Sequence, residues 1–235
     1  MTEAIFRDDA YAKSCEATVV SVDKAGIELD RTIFYYESGG QPGDTGTLAT
    51  ADGHTVEIAD TRMDRGSGRH LHIPAEGMPS LVLGDTVTAT IDWERRHRLM
   101  RMHTLLHLIC AIVDVDITGC QIGLEKSRID LNTDGKPDKE AIQAQLDELV
   151  AKDLPTAAKW ITDEELAAQP ELVKTMSLSP PTGIGKVRLI GVEGIDLQPC
   201  GGTHVASIGE IGRVRVGKIE NKGKQNRRIN VHLED

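Results

Sequence analysis

The feature that most constrains this chain is a change of hydrophobic period at Asp92. Upstream, short β-branched segments recur between turn residues: CEATVVSV (15–22), GIELD (26–30), TGTLAT (45–50), HTVEIAD (54–60), RHLHIP (69–74) and DTVTATID (85–92). Alternation over such lengths marks strands, and DKAG, ADG and RGSG supply turns between them. Six strands with no helix among them suit a small barrel. Downstream, WERRHRLMRMHTLLHLICAIVDV spaces Leu99, Met102, Leu106, Ile109 and Val113 by three or four residues, one face of a helix. The expected division is a β-barrel domain over residues 1–92 and a second domain over 93–235.

In the second part, GCQIGLEKSRIDL reads as a strand or hairpin. DKEAIQAQLDELVAKDL reads as an amphipathic helix with Ile142, Leu146 and Leu149 or Val150 inward. TDEELAAQP opens with a capping box at Thr162 and Glu165 and stops at Pro170, so it is a short helix. KVRLIGVEGIDL and IGRVRVGKIENKGKQNRRINVHL read as strands, the last two forming a hairpin around NKGKQN. The expected class is α+β, with one antiparallel sheet and helices on one of its faces.

Charge narrows the partners. Lysine and arginine total 27 against 37 carboxylates, a net charge of −10. Residues 129–172 account for most of it, and two basic stripes stand apart: Arg95, Arg96, Arg98 and Arg101, and the run Arg213 to Arg228. Such stripes on an acidic chain suit either a local phosphate footprint or an ion-paired face. Aromatic residues make up 3%, so base stacking cannot dominate a nucleic-acid contact. The longest apolar run, Leu108 to Val113, is too short to cross a bilayer, and MTEAIFRDD lacks a signal layout. The expectation is a cytoplasmic protein with no membrane partner. Cys15, Cys110, Cys120 and Cys200 show no close pairing, which points to core thiols or metal ligands.

His103 and His107 lie four apart on the helix expected from Trp93 onward, so both imidazoles leave the same face. PCGGTH repeats the four-residue spacing with Cys200 and His204 around two glycines. Three imidazoles and a thiolate suit a tetrahedral zinc ion. HTLLH lacks the glutamate of a zincin, and neither a GxSxG elbow nor a phosphate-binding GxxxxGK[ST] loop occurs, which disfavours those hydrolase classes and a nucleotide cofactor. His70 and His72 alternate on one strand and read as surface or barrel residues. FYYESGGQPGDTG, Phe34 to Gly46, is a glycine-rich loop able to approach a ligand closely, or an ordinary hairpin connection.

These motifs carry a resemblance. FYYESGGQPGDTG, RxHTxxH (Arg101 to His107), CGGTHV (Cys200 to Val205) and KIENKGKQNRRI (Lys218 to Ile229) occur in the order found in the editing region of alanyl-tRNA synthetase. The chain resembles the free-standing AlaX family of alanyl-tRNA editing proteins, in particular its medium-length members. The resemblance implies hydrolysis in trans of tRNA(Ala) mischarged with serine, and also with glycine, while Ala-tRNA(Ala) is spared. It implies one zinc ion per chain on His103, His107, Cys200 and His204. It also implies a barrel like that of translation factors, followed by an editing fold shared with threonyl-tRNA synthetases.

Residue by residue, the resemblance makes Gln41 and Thr118 the candidate catalytic groups, with Thr118 sensing the serine hydroxyl. Gly39, Gly40, Asp44 and Thr45 become candidate substrate contacts. Lys222, Lys224, Arg227 and Arg228 are assigned to the acceptor stem, with Arg98 and Arg101 near the 3′ end. Three other readings stay open at this point: an editing deacylase of the threonyl type, a non-catalytic zinc module that binds RNA, and a zinc hydrolase of small esters or amides.

Overall fold

A computed structural model describes residues 2–77, 81–176 and 185–234. The chain forms two compact units, one of Met1–Ser38 with Pro42–Arg98 and the other of Gly39–Gln41 with Leu99–Asp235. The cut thus falls inside a helix, six residues beyond the change of period. Three residues of the glycine-rich loop, assigned from sequence to the barrel, pack with the second unit.

In the first unit, β1 (Glu3–Ala4) is a two-residue strand. Six longer strands follow the expected segments: β2 (Ser14–Asp23), β3 (Gly26–Leu29), β5 (Gly46–Thr50), β6 (Thr55–Met63), β7 (His70–Pro74) and β8 (Thr86–Ile91). A second short strand, β4 (Arg31–Thr32), pairs in parallel with β1. The six close into a barrel in the order β2-β3-β7-β6-β5-β8, which removes the open edges that invite aggregation. Strand β8 shows why the pattern works: Val87, Ala89 and Ile91 are buried while Thr86, Thr88 and Thr90 are exposed. Leu29, Ile33, Phe34, Leu48, Val56 and Ile58 fill the interior.

Two polar features sit in this unit. His70 and His72 lie within the barrel rather than on its surface, their rings stacked 5.2 Å apart. Burial pushes their pKa values down to about 3 and about 4, so both are neutral core residues. The second feature is a buried ion pair. Arg96 Nε lies 3.0 and 2.9 Å from the two carboxylate oxygens of Asp44, and its remaining nitrogens donate to the carbonyls of Ala10 and Ile33. The Tyr35 N–H also donates to the Asp44 carboxylate, at 2.6 Å. Both side chains are sealed from water, and the Asp44 carboxylate is committed to Arg96 and the Tyr35 N–H. Thr45 is half-buried, and its carbonyl accepts from the Asp92 N–H at 2.8 Å.

Helix α1 (Trp93–Val113) begins where Asp92 Oδ1 accepts from the Arg95 N–H at 3.1 Å, an N-cap. Leu99, Met102, Leu106 and Ile109 point inward as expected. Burial extends all round the helix from Met102 to Cys110, however, so this part of α1 is a core helix with no solvent-facing side.

After α1 come β9 (Ile117–Gln121), β10 (Ser127–Leu131), α2 (Lys139–Lys152), β11 (Thr156–Ile161), α3 (Asp163–Ala167), β12 (Val187–Val192), β13 (Asp196–Pro199), β14 (Val214–Gly223) and β15 (Asn226–Leu233). Helix α2 buries Ile142 and Leu146, and the Thr162–Glu165 capping box of α3 is formed. The single sheet expected from sequence is in fact two antiparallel sheets, β14-β15-β10-β9 and β11-β12-β13. The reason is β11, which pairs along its whole length with β12 and gives that strand a partner outside the four-stranded sheet. Its sequence, TAAKWI, lacks the alternation that would have disclosed it, because four consecutive residues are exposed on an outer edge. Among the described residues, no helix is long and apolar enough to cross a membrane.

Candidate metal centre

The second unit brings His103 and His107 of α1 together with Cys200 and His204 of the loop after β13. The donor atoms of all four lie within 4.8 Å of one another. Cys200 Sγ is 3.5 Å from His103 Nε2 and 3.3 Å from His204 Nε2. Bonds of about 2.0–2.3 Å to a tetrahedral zinc would set neighbouring ligand atoms about 3.3–3.7 Å apart, so the spacing fits the ion.

The far side of each ring is also fixed. His103 Nδ1 donates to Gln41 Oε1 at 2.9 Å, His107 Nδ1 donates to Asp196 Oδ2 at 3.1 Å, and His204 Nδ1 donates to Thr104 Oγ1 at 3.1 Å. Those oxygens are held in turn. Gln41 Oε1 also accepts from the Thr203 N–H while its amide nitrogen donates to Thr203 Oγ1, Gln198 donates to Asp196, and the Thr104 hydroxyl donates to the Met100 carbonyl. With Nδ1 engaged on its far side, every ring turns Nε2 toward the centre, the arrangement that orients metal-binding histidines. Thr104, Asp196 and Gln198 escaped the sequence reading. Their only signal is position, Thr104 beside the first histidine and Asp196 four residues before the cysteine.

The electrostatics follow from this packing. Burial opposes ionisation of Cys200, but the His103 and His204 imidazoles outweigh it and hold the thiol well below its ordinary pKa. For His204, burial followed by repulsion from His103 lowers the value to about 3. Burial would lower His107 as well, yet the hydrogen bond to Asp196 and the neighbouring Cys200 raise it to about 9. Without metal, Cys200 therefore favours the thiolate and His107 the imidazolium at neutral pH. His107 must give up its proton when a metal is loaded, whereas Cys200 already has. At pH 7.5, titration calorimetry of the metal-free protein with Zn2+ in buffers of different ionisation enthalpy is expected to show proton release, with affinity rising up to about pH 9 and then levelling as His107 deprotonates. Binding without proton release would reject the charge assignment of His107.

The remaining sequence candidates fall into clear groups. Gly39 and Gly40 join the second unit as an extra edge beside β9, where Ile122 N–H donates to the Gly40 carbonyl at 2.8 Å and Cys120 Sγ donates to the Gly39 carbonyl at 3.3 Å. Gly40 has φ +81°, and a Cβ there would meet the Cys120 carbonyl, so this approach needs glycine. Thr118 is half-buried at a register irregularity between β9 and β10, its hydroxyl donating to the Asp130 carbonyl at 3.2 Å.

Of the basic residues, Arg101 donates to the Ile211 carbonyl, Arg227 pins the hairpin through Asn221, Gly223, Asn226 and Asp134, and Arg228 forms a bidentate pair with Asp130. All three are half-buried and already donate within the protein. Lys222 is exposed and pairs with Glu220 at 2.8 Å, Lys224 is exposed at the hairpin tip, and Arg98 is half-buried.

Comparison with known proteins accords with this geometry. The family described as the threonyl and alanyl tRNA synthetase second additional domain matches residues 187–230, the stretch that contains Cys200 and His204. The class II (A) tRNA synthetase family matches residues 3–95. An alanyl-tRNA editing protein AlaX-M from Methanosarcina acetivorans is 38% identical over 100% of both chains. One from Saccharolobus solfataricus is 34% identical over 97% of this chain and 98% of its own. An alanine–tRNA ligase from Sulfurisphaera tokodaii is 31% identical over 93% of this chain, which spans 25% of that ligase. Identity of this extent over the full length of the chain makes it a member of the AlaX family of alanyl-tRNA editing proteins.

Proposed function

We propose that this chain hydrolyses, in trans, the ester of tRNA(Ala) mischarged with serine and with glycine, and spares Ala-tRNA(Ala). The observation that carries the reading is the His103–His107–Cys200–His204 cluster with an oxygen behind every imidazole, in a chain of this family. Relatives named alanyl-tRNA editing proteins match it along its whole length. On the same reading the barrel is of the translation-factor type and the protein works in the cytoplasm.

One zinc ion on these four residues would supply a Lewis acid beside the ester. The chain's own groups do the rest. Gln41, Asp196 and Thr104 hold the three rings in one tautomer, so Gln41 acts as a positioning residue rather than a reacting one. Thr118 supplies the polar partner for the serine hydroxyl. A site built to satisfy that hydroxyl is left with an unpaired polar group when alanine enters, which costs far more than the small difference in size between the two side chains. Lys222 and Lys224, exposed on the β14–β15 hairpin, are the cations that meet RNA phosphates.

The test is deacylation of Ser-tRNA(Ala), Gly-tRNA(Ala) and Ala-tRNA(Ala) by the wild type and by Cys200→Ala, with zinc content measured in parallel. Loss of serine and glycine with alanine retained, and at least a hundredfold lower rate in the zinc-depleted variant, is the expected result. One equivalent of zinc with all three esters intact would overturn the reading in favour of a binding module.

A further inference from the structure

Trp160 is the single aromatic residue among those described that is more than a third exposed, at 41%. Its position in the three-stranded sheet gives that exposure a meaning. On β11 it pairs with Arg188 of β12. Arg188 is followed across the sheet by Cys200, whose N–H donates to the Arg188 carbonyl at 3.0 Å. The side chain of Arg188 reaches the same loop, donating to the carbonyls of Cys200 and Gly202 at 3.1 and 2.9 Å. Trp160, Arg188 and Cys200 are thus one transverse row, with the backbones of Trp160 and Cys200 two strand spacings, on the order of 10 Å, apart.

The face is the right one. Residues paired directly across an antiparallel sheet point to the same side, as do alternate residues along a strand. Ile190 pairs with Gln198, and Val192 with Asp196, so Trp160 and Arg188 share a face with the two residues that support His107. The opposite face carries Ile161, Val187 and Leu189, which form an apolar cluster with Leu166 of α3. On the site face, Ile190, Gln198 and Asp196 are buried, and Trp160 at the rim is open to solvent.

We infer that Trp160 is the stacking platform for the 3′-terminal base of the RNA substrate. The inference rests on the editing function proposed above. The scissile ester sits on the terminal ribose, so an ester held at the cluster places the attached base within one nucleoside's length of the donors, and the row of residues leads from the cysteine to the indole over that span. Any base presents a π face, so an exposed indole binds it without reading sequence. The neighbouring Arg188, committed to the ligand loop, couples the platform to the loop that carries Cys200.

The experiment uses Trp93→Phe protein, in which Trp160 is the sole tryptophan. Uncharged tRNA(Ala) with an intact 3′ terminus is expected to quench its emission, and the same RNA lacking the terminal nucleoside to leave it unchanged. In turnover of Ser-tRNA(Ala), Trp160→Ala should raise KM roughly ten- to hundredfold, with kcat and zinc content within twofold of wild type, and Trp160→Phe should restore most of the loss. Equal quenching by both RNAs, no quenching by either, or an unchanged KM in Trp160→Ala would overturn the platform. If the wild type cleaves no ester at all, the editing function fails, while quenching confined to the intact RNA still upholds a site for its terminal base.

Discussion

Gly202→Ala is expected to empty the metal centre without unfolding the protein, and Gly201→Ala to do neither. The two glycines of CGGTH look equivalent in the sequence, yet their surroundings differ completely. A Cβ on Gly202 would lie 2.5 Å from His103 Nδ1, closer still to Cε1, and 3.0 Å from Gln41 Oε1. A Cβ on Gly201 would meet nothing within 4 Å. Alanine at 202 therefore drives the His103 ring from its place, and the ring loses both its Gln41 partner and its direction toward the centre. Losing an outer partner alone costs about 10–100-fold in metal affinity, and displacing the ligand itself costs more. Zinc retained after dialysis, together with far-ultraviolet circular dichroism, separates loss of metal from loss of fold. Full zinc occupancy in Gly202→Ala would show that the loop can shift to accept a methyl group and that the steric argument is wrong.

The second large effect lies in the barrel. Removing the Asp44 carboxylate by Asp44→Ala leaves the Arg96 guanidinium buried with no counter-charge, a change that costs about 3–5 kcal/mol. The urea midpoint of the variant should fall accordingly. Removing the orphaned charge as well, in Asp44→Ala with Arg96→Met, should recover part of the loss, the remainder reflecting the Tyr35 N–H and the Ala10 and Ile33 carbonyls left without partners. A variant of unchanged stability whose KM for Ser-tRNA(Ala) rises would return Asp44 to the role of substrate contact.

What the sequence disclosed and what it hid have a common physical basis, the distance along the chain over which a signal is written. The barrel strands were legible because each carries its own alternation. The histidine pair was legible because four residues of helix place two side chains on one face, and the cysteine–histidine pair was legible by the same local spacing. The pairing of Asp44 with Arg96 was hidden because the two lie 52 residues apart. That of Arg228 with Asp130 was hidden for the same reason, since the carboxylate lies 98 residues upstream of the charge run. Strand β11 stayed hidden because an outer-edge strand with four exposed residues has no buried face to leave a period. Gln41 was found through the resemblance, but its part in the site, an amide turned on the back of His103, could be seen only in three dimensions.

The Gln41 contact also bears on how the protein is made. Gln41 is 62 residues from His103 and 162 from Thr203, and it bonds both. During synthesis the His103–His107 pair emerges with Gln41 already available, while Cys200 and His204 are still untranslated. A nascent chain thus offers two of the four donors for some hundred residues of elongation, a period in which any metal it captures is held only weakly. Contacts of such long sequence separation generally form after local structure. Removing the chain from Cys200 onward takes away two of the four donors, so a nascent chain cannot assemble the cluster before His204 has been added.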